Sequence, residues 1–219
     1  MNKKPAQANQ KQPVKLLPTV ATTHVVAARV ILPDAAFKNR DRHPSADGPW
    51  AGEYDKLGWV DEATSLRCII LRQRNGSLSG YVAVPSDHPL YGFDKDAIPS
   101  GINLTVHGGL TYAAACEKNN DDERISICHV SKFVRRGTKN VFNDHEETWW
   151  LGFDTDLDCD LVPTLRHRSS AVVRTYRDQA YVYREIIRLA ARLSEIATGV
   201  PIKLDDDVKA QVPPVTFRK

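Results

Sequence analysis

Leu66-Arg67-Cys68-Ile69-Ile70-Leu71-Arg72, followed by Asn75-Gly76 and then by Leu78-Ser79-Gly80-Tyr81-Val82-Ala83-Val84, reads as the centre of an antiparallel sheet. The first run is apolar on both faces at its centre, as a strand in the interior of a sheet requires. Asn and Gly both tolerate the positive φ of a tight hairpin turn. The pair therefore predicts a β-hairpin in which 78–84 returns antiparallel to 66–72. Proline cannot donate to a ladder, so Pro85 predicts the end of the return strand.

On the C-terminal side, Ile102-Asn103-Leu104-Thr105-Val106-His107 alternates and predicts another strand. Ile102, Leu104 and Val106 would share one face, and Asn103, Thr105 and His107 the other. Residues 125–130 and 148–153 complete the expected sheet. On the N-terminal side, 20–32 (VATTHVVAARVIL) predicts the first strand, and the polar stretch 33–58 predicts a long irregular connection. A helix is expected where Val182, Ile186, Leu189, Ala190, Leu193, Ile196 and Ala197 form one apolar stripe of helical period. Thr175 with Asp178 resembles a capping box, and Gly199 and Pro201 supply the stop. Arg184, Arg188, Arg192 and Glu195 lie off the stripe, towards water. The fold class is thus α+β: a mainly antiparallel sheet with a C-terminal amphipathic helix packed on it.

The 219 residues suffice for one sizeable core, and 42% apolar with 26% charged residues is ordinary for a soluble protein. One domain is expected over residues 20–203. Residues 1–19, rich in Lys, Gln, Asn, Ala and Pro, read as a disordered or extended basic arm. Residues 204–219, with Asp205-Asp206-Asp207, read as a polar tail. A net charge of +3 gives nucleic acid little support as a partner. No apolar run reaches the roughly 18–20 residues of a membrane span. Lys3 and Lys4 are not followed by the apolar segment of a secretory signal. Cys68, Cys116, Cys128 and Cys159 show no CxxC spacing and read as reduced thiols. A cytoplasmic protein is the resulting expectation.

Three local words stand out: Pro85-Ser86-Asp87-His88-Pro89-Leu90-Tyr91-Gly92, Val106-His107-Gly108-Gly109-Leu110-Thr111-Tyr112, and Trp149-Trp150-Leu151-Gly152-Phe153-Asp154. In these words the chain resembles a family of small uncharacterised proteins of bacteriophages and other mobile elements. That family has a strand ending in VP-x-x-HPLYG, then a VHGGLT segment, then W-x-GFD leading into a cluster of His and Asp. The resemblance covers about residues 50–165 and the position of the C-terminal helix. It implies an accessory role in the cytoplasm of a host cell and implies no particular activity. After GFD the family pattern runs Cys-Ala-His-Ala-Gly-Asp, whereas this chain has Thr155-Asp156-Leu157-Asp158-Cys159-Asp160. Asp154 and Asp160 match, and Leu157 stands where the family has His. Chemistry that depends on that His does not carry over with the resemblance.

Read from the residues alone, His107 sits beside two glycines that let a ligand approach the backbone, where free N–H groups can hold an anion. Thr111 adds a hydroxyl. Asp154, at a strand end, is the carboxylate expected to meet His107 and orient it for proton transfer or metal binding. His88, extended because it precedes Pro89, is expected to face the same site with Tyr91. The plainer alternative has His107 capping a turn, Gly108-Gly109 forming a bulge, Asp154 opening a loop and His88 packed.

Asp154, Asp156, Asp158 and Asp160 alternate as in a calcium loop. Cys159 stands at the turn glycine and Leu165 at the bidentate acid, so a solvated acidic loop is the simpler reading. Asp154 and Asp160 remain the candidate ligands for a divalent metal. Cys128-His129 with His145 lacks a second close pair for zinc. Gly76-Ser77-Leu78-Ser79-Gly80 is no nucleophile elbow, because Leu78 occupies the serine position. Trp149 and Trp150 should point to opposite faces, one into the core and one towards a pocket or partner. Arg135, Arg136 and Lys139, near Phe133 and Phe142, read as a solvated basic loop.

Three functions follow as expectations. One is a binding protein for a small molecule, a phosphate-bearing one first, or for a host protein. Another is a metal-assisted hydrolase using His107, Asp154 and Asp160. The third is a protein–protein module that uses the N-terminal arm and an exposed Trp.

Overall fold

The computed structural model describes residues 23–115, 124–127, 148–165 and 173–209. The expectations for the arm 1–19, for Cys128-His129 with His145, and for the basic loop 135–140 lie outside the described residues.

The expected hairpin forms. β5 (Arg67–Arg72) pairs antiparallel with β6 (Leu78–Pro85), from Arg67↔Ala83 to Arg72↔Leu78. Its loop uses Gly76 alone at positive φ, +82°. Gly76 N–H donates to Gln73 C=O and Gln73 N–H to Ser77 C=O, the three-residue loop with a glycine bulge rather than a two-residue turn. Around this hairpin, β3 (Ala35–Phe37), β4 (Lys56–Val60), β7 (Tyr112–Ala115) and β8 (Thr148–Asp154) complete a six-stranded antiparallel sheet. Its order is β3-β4-β5-β6-β8-β7.

Strand parity gives the sheet two faces. Leu57, Trp59, Cys68, Ile70, Leu78, Val82, Val84, Leu151 and Phe153 form the core beneath helix α1 (Gln179–Thr198). Gly80 leaves room there: a Cβ would meet the Phe153 ring at 2.5 Å and Ile186 at 2.8 Å. Ile69, Leu71, Tyr81, Ala83 and Trp150 form a smaller apolar cluster on the other face. Trp149 and Trp150 do point to opposite faces. Neither offers an open indole: Trp150 is buried, and half-buried Trp149 donates to Phe93 C=O.

Helix α1 buries Val182, Ile186, Leu189, Ala190 and Leu193, as its stripe predicts, and Gly199 ends it at φ +72°. Its cap is not the expected box. Asp178 is the N-cap and accepts from Tyr181 N–H, while Thr175 bridges to Asp160 instead. Arg188 and Arg192 are half-buried against Val208 C=O and Ile102 C=O, not free in water.

Other segments depart from expectation. Residues 20–32 hold a separate hairpin, β1 (His24–Val26) with β2 (Arg29–Ile31), turned at Ala27 and Ala28, both at positive φ. No glycine marks this turn in the sequence. The stretch 33–58 contains β3 and the start of β4, strands too short or too irregular to show a period. Residues 102–107 are not a strand. Asn103 is left-handed at φ 56° and follows a 3₁₀ turn, Ser100–Ile102, which breaks any ladder. The alternation is nonetheless real in burial, since Ile102, Leu104 and Val106 pack on the main core. Residues 125–127 form a turn and bend, with Ile127 against the smaller cluster. The segment after 204 is not plain tail. α2 (Asp206–Lys209) packs on α1 through buried Val208, and Asp205 pairs with Arg29 at 2.5 Å.

Candidate functional site

His107 ends a short irregular segment that lies against the N-terminal half of α1. Its backbone N–H donates to Glu185 Oε2 at 3.2 Å. Its ring is nearly enclosed, at 7% side-chain exposure, and both nitrogens are engaged. Nε2 meets Asp160 Oδ2 at 2.7 Å and Nδ1 meets the Tyr181 hydroxyl at 2.8 Å. With the proton on Nε2, the ring donates to Asp160 and accepts from Tyr181.

Asp160, not Asp154, is the carboxylate that orients His107. It is fully buried. Its Oδ1 accepts from Arg177 Nε at 2.7 Å, and its Oδ2 also accepts from Leu157 N–H at 3.1 Å. Burial alone would raise its pKa, but the hydrogen bonds from His107 and Arg177 outweigh this and hold it below the usual carboxylate range. Arg177 lies over the Tyr181 ring at 4.7 Å. Burial first, then the Glu185 charge, pushes the Tyr181 phenol up to about 12. Glu185 itself is buried and paired with Arg188.

Asp154 falls on the other side of the sheet by parity. It pairs with Ser79 across β6–β8, and its Oδ1 accepts from the Ser79 hydroxyl at 2.5 Å. The expected meeting of His107 with Asp154 is therefore not made, and Asp154 and Asp160 do not form a joint metal site. Asp160 has also committed both oxygens. Among the described residues no group of three or more His, Cys, Asp or Glu side chains lies together so as to hold a metal ion.

His88 is a core residue. Leu90 N–H donates to its Nδ1 at 3.0 Å, and its Nε2 donates to Leu193 C=O at 3.0 Å. Burial holds its pKa below the ordinary value, with the Leu193 carbonyl and the Asp87 charge opposing. Leu193 lies on the order of 12 Å of helix rise beyond Glu185, so His88 and His107 address different ends of α1. Tyr91 is beside Trp149, ring centroids 5.9 Å apart, and belongs with His88 rather than His107.

The glycine pair does accompany His107. Gly108 and Gly109 have φ of +67° and +88°, and Gly109 N–H closes a turn onto Val106 C=O at 3.0 Å. Open space surrounds Gly109, whereas a Cβ on Gly108 would strike Leu157 at 2.8 Å. Leu157 thus lies directly beside the His107 turn. Thr111 extends the sheet through its N–H to Gly152 C=O and is exposed.

The constellation is His107, Asp160, Arg177, Tyr181, Glu185 and Arg188. The last four are not among the site residues expected from the sequence. One signal was present: Tyr181, Glu185 and Arg188 fall at i, i+4 and i+7, a polar stripe beside the apolar one. Comparison of the chain with protein-family models, with curated proteins and with solved structures finds no match. No helix among the described residues is long and apolar enough to cross a membrane.

Proposed function

We propose that this chain is a binding protein, an accessory factor of the bacteriophage kind that its sequence resembles, and that it holds a phosphate-bearing small molecule at the His107 turn. The observation that carries this reading is the pair of consecutive left-handed glycines beside an imidazole fixed by a buried carboxylate. Open space at Gly109 lets a phosphate oxygen approach the backbone of the Gly108–Gly109 turn, where the His107 and Gly109 N–H groups are already engaged and Gly108 N–H is the donor left to the ligand among the described residues. The exposed Thr111 supplies a further hydroxyl. Calorimetric titration with a panel of nucleotides tests it, using the native chain, His107→Ala and Gly109→Ala. Binding by the native chain that weakens about tenfold or more in both variants is expected, a loss of about 1.4 kcal/mol. Equal binding by all three, or none by the native chain, removes the idea.

A second reading, a hydrolase, is supported by the Asp160–His107–Tyr181 chain of hydrogen bonds, which resembles a proton relay. In this version His107 moves the proton and Asp160 orients it, with no part for Asp154. Phosphate release from bound nucleotide, abolished in Tyr181→Phe, would select this reading over simple binding.

A further inference from the structure

A second His–carboxylate pair lies at the end of the sheet near the β5–β6 loop. His43 Nδ1 donates to Asp55 Oδ1 at 2.8 Å. Asp55 is almost wholly buried and held rigidly: Arg72 Nε donates to the same oxygen at 2.6 Å, and Asn39 N–H donates to Oδ2 at 2.6 Å. Arg72 is completely buried and braced in turn by Glu53 at 2.7 Å, by Gly76 C=O at 2.8 Å and by the Tyr176 hydroxyl at 2.9 Å. Tyr176 donates to Glu53 at 2.6 Å, and Gln179 N–H, at the start of α1, donates to the other Glu53 oxygen.

His43 differs from the other histidines among the described residues. His88 and His107 use both ring nitrogens, and His24 packs edge-on against Tyr54. Among the described residues nothing bonds His43 Nε2, its side chain is 22% exposed, and Asp55 favours the tautomer that leaves a lone pair there. The buried members Glu53, Asp55 and Arg72 sum to −1. An anion placed at Nε2 would add to that negative charge, whereas an uncharged ligand does not. Arg42 lies at the rim, half-buried, with its guanidinium on Arg72 C=O.

We infer that His43, oriented by Asp55, is a second proton-transfer site, separate from the His107 turn, that acts on small uncharged carboxylic esters. Nε2 takes a proton from a water as the water oxygen bonds to the ester carbonyl carbon. The tetrahedral adduct then breaks its bond to the leaving oxygen, which takes the proton from Nε2. Ester and water become acid and alcohol, and the Nδ1 proton stays on its bond to Asp55.

The test uses the full chain with p-nitrophenyl acetate. The native rate is expected to exceed that of the same concentration of free imidazole by at least about tenfold. His43→Gln should remove that excess, and His24→Gln should keep it. Asp55→Asn, matched for folded fraction by circular dichroism, should lower kcat with KM unchanged. A native rate no higher than free imidazole, or an excess that survives in His43→Gln, overturns the proposal. Diethylpyrocarbonate mapped by mass spectrometry needs no variant: His43 should be modified before His88 and His107, and an unreactive His43 also overturns it. Nucleotide binding by His43→Gln should equal that of the native chain, so either reading can fail without the other.

Discussion

Two aspartates of one acidic stretch separate completely once the chain folds. Asp154 ends β8 facing Ser79 and remains half-buried, while Asp160 is enclosed and shared by His107, Arg177 and Leu157 N–H. Removing the charge from Asp160 leaves a buried guanidinium without its counter-ion, which typically costs about 3–5 kcal/mol. Removing it from Asp154 weakens one hydrogen bond, worth about 1 kcal/mol. Urea denaturation of Asp160→Asn and Asp154→Asn should therefore differ by about 2 kcal/mol or more, with Asp160→Asn the less stable. Similar losses in the two variants would mean that Asp160 is not the anchor of the cluster. His88 makes the same point about environment. The extended backbone required before Pro89 is legible in the sequence, but whether its ring faces a site or the core depends on α1, which follows far along the chain.

At the level of elements, the β5–β6 hairpin and the cap of α1 are the features most open to single substitutions. Gly76→Ala places a Cβ at φ +82°, which costs about 1–2 kcal/mol, and brings it within 3.1 Å of both Pro163 and Pro44. A loss of roughly 2 kcal/mol in thermal or urea unfolding is expected, against almost none for Gly52→Ala, where a Cβ meets nothing. Asp178→Ala removes the cap bond to Tyr181 N–H and should cost about 1 kcal/mol, while Thr175→Ala should cost little. The reverse order would restore the capping box. These elements were legible because their signals are local: a helical period, a turn glycine, an apolar run. The strand expected at 102–107 failed because alternation reports burial, and an irregular segment lying on a core can alternate as well as a ladder can. The β1–β2 hairpin was hidden because its turn is built on two alanines. The site was half legible. His107 and its glycines form a local word, but Asp160, Arg177 and Glu185 join it only through tertiary contacts.

Across the whole molecule, two buried ionic networks are tied together by adjacent residues ahead of α1. Tyr176 enters the Arg72–Glu53–Asp55 group and Arg177 enters the Asp160–His107 group, so the segment leading into the helix is pinned on both sides. Titration of buried groups should therefore be felt as global stability. His88 has its folded pKa lowered from 6.5 by burial, and Asp160, which burial alone would raise, has its own lowered from 3.8 by the hydrogen bonds it accepts from His107 and Arg177. A lowered folded pKa means that the unfolded chain binds more protons, so this stability is present above the unfolded value and is lost as pH falls. The tyrosines act in the opposite direction. Burial first pushes Tyr81, Tyr181 and Tyr183 up to about 12 from 10.0, and Tyr176 higher still. A raised folded pKa contributes stability that is present below the unfolded value and is lost as pH rises through the folded one. The urea midpoint should thus be level between about pH 7 and 9, fall below about 6.5, fall more steeply below about 3.8, and fall again above about 9, where the Cys68 thiol, raised by burial, and then the tyrosines would ionise in the unfolded chain. In Asp160→Asn the lowest step should shrink while the step near 6.5 persists. An undiminished acid step in that variant would place the controlling carboxylate elsewhere in the chain.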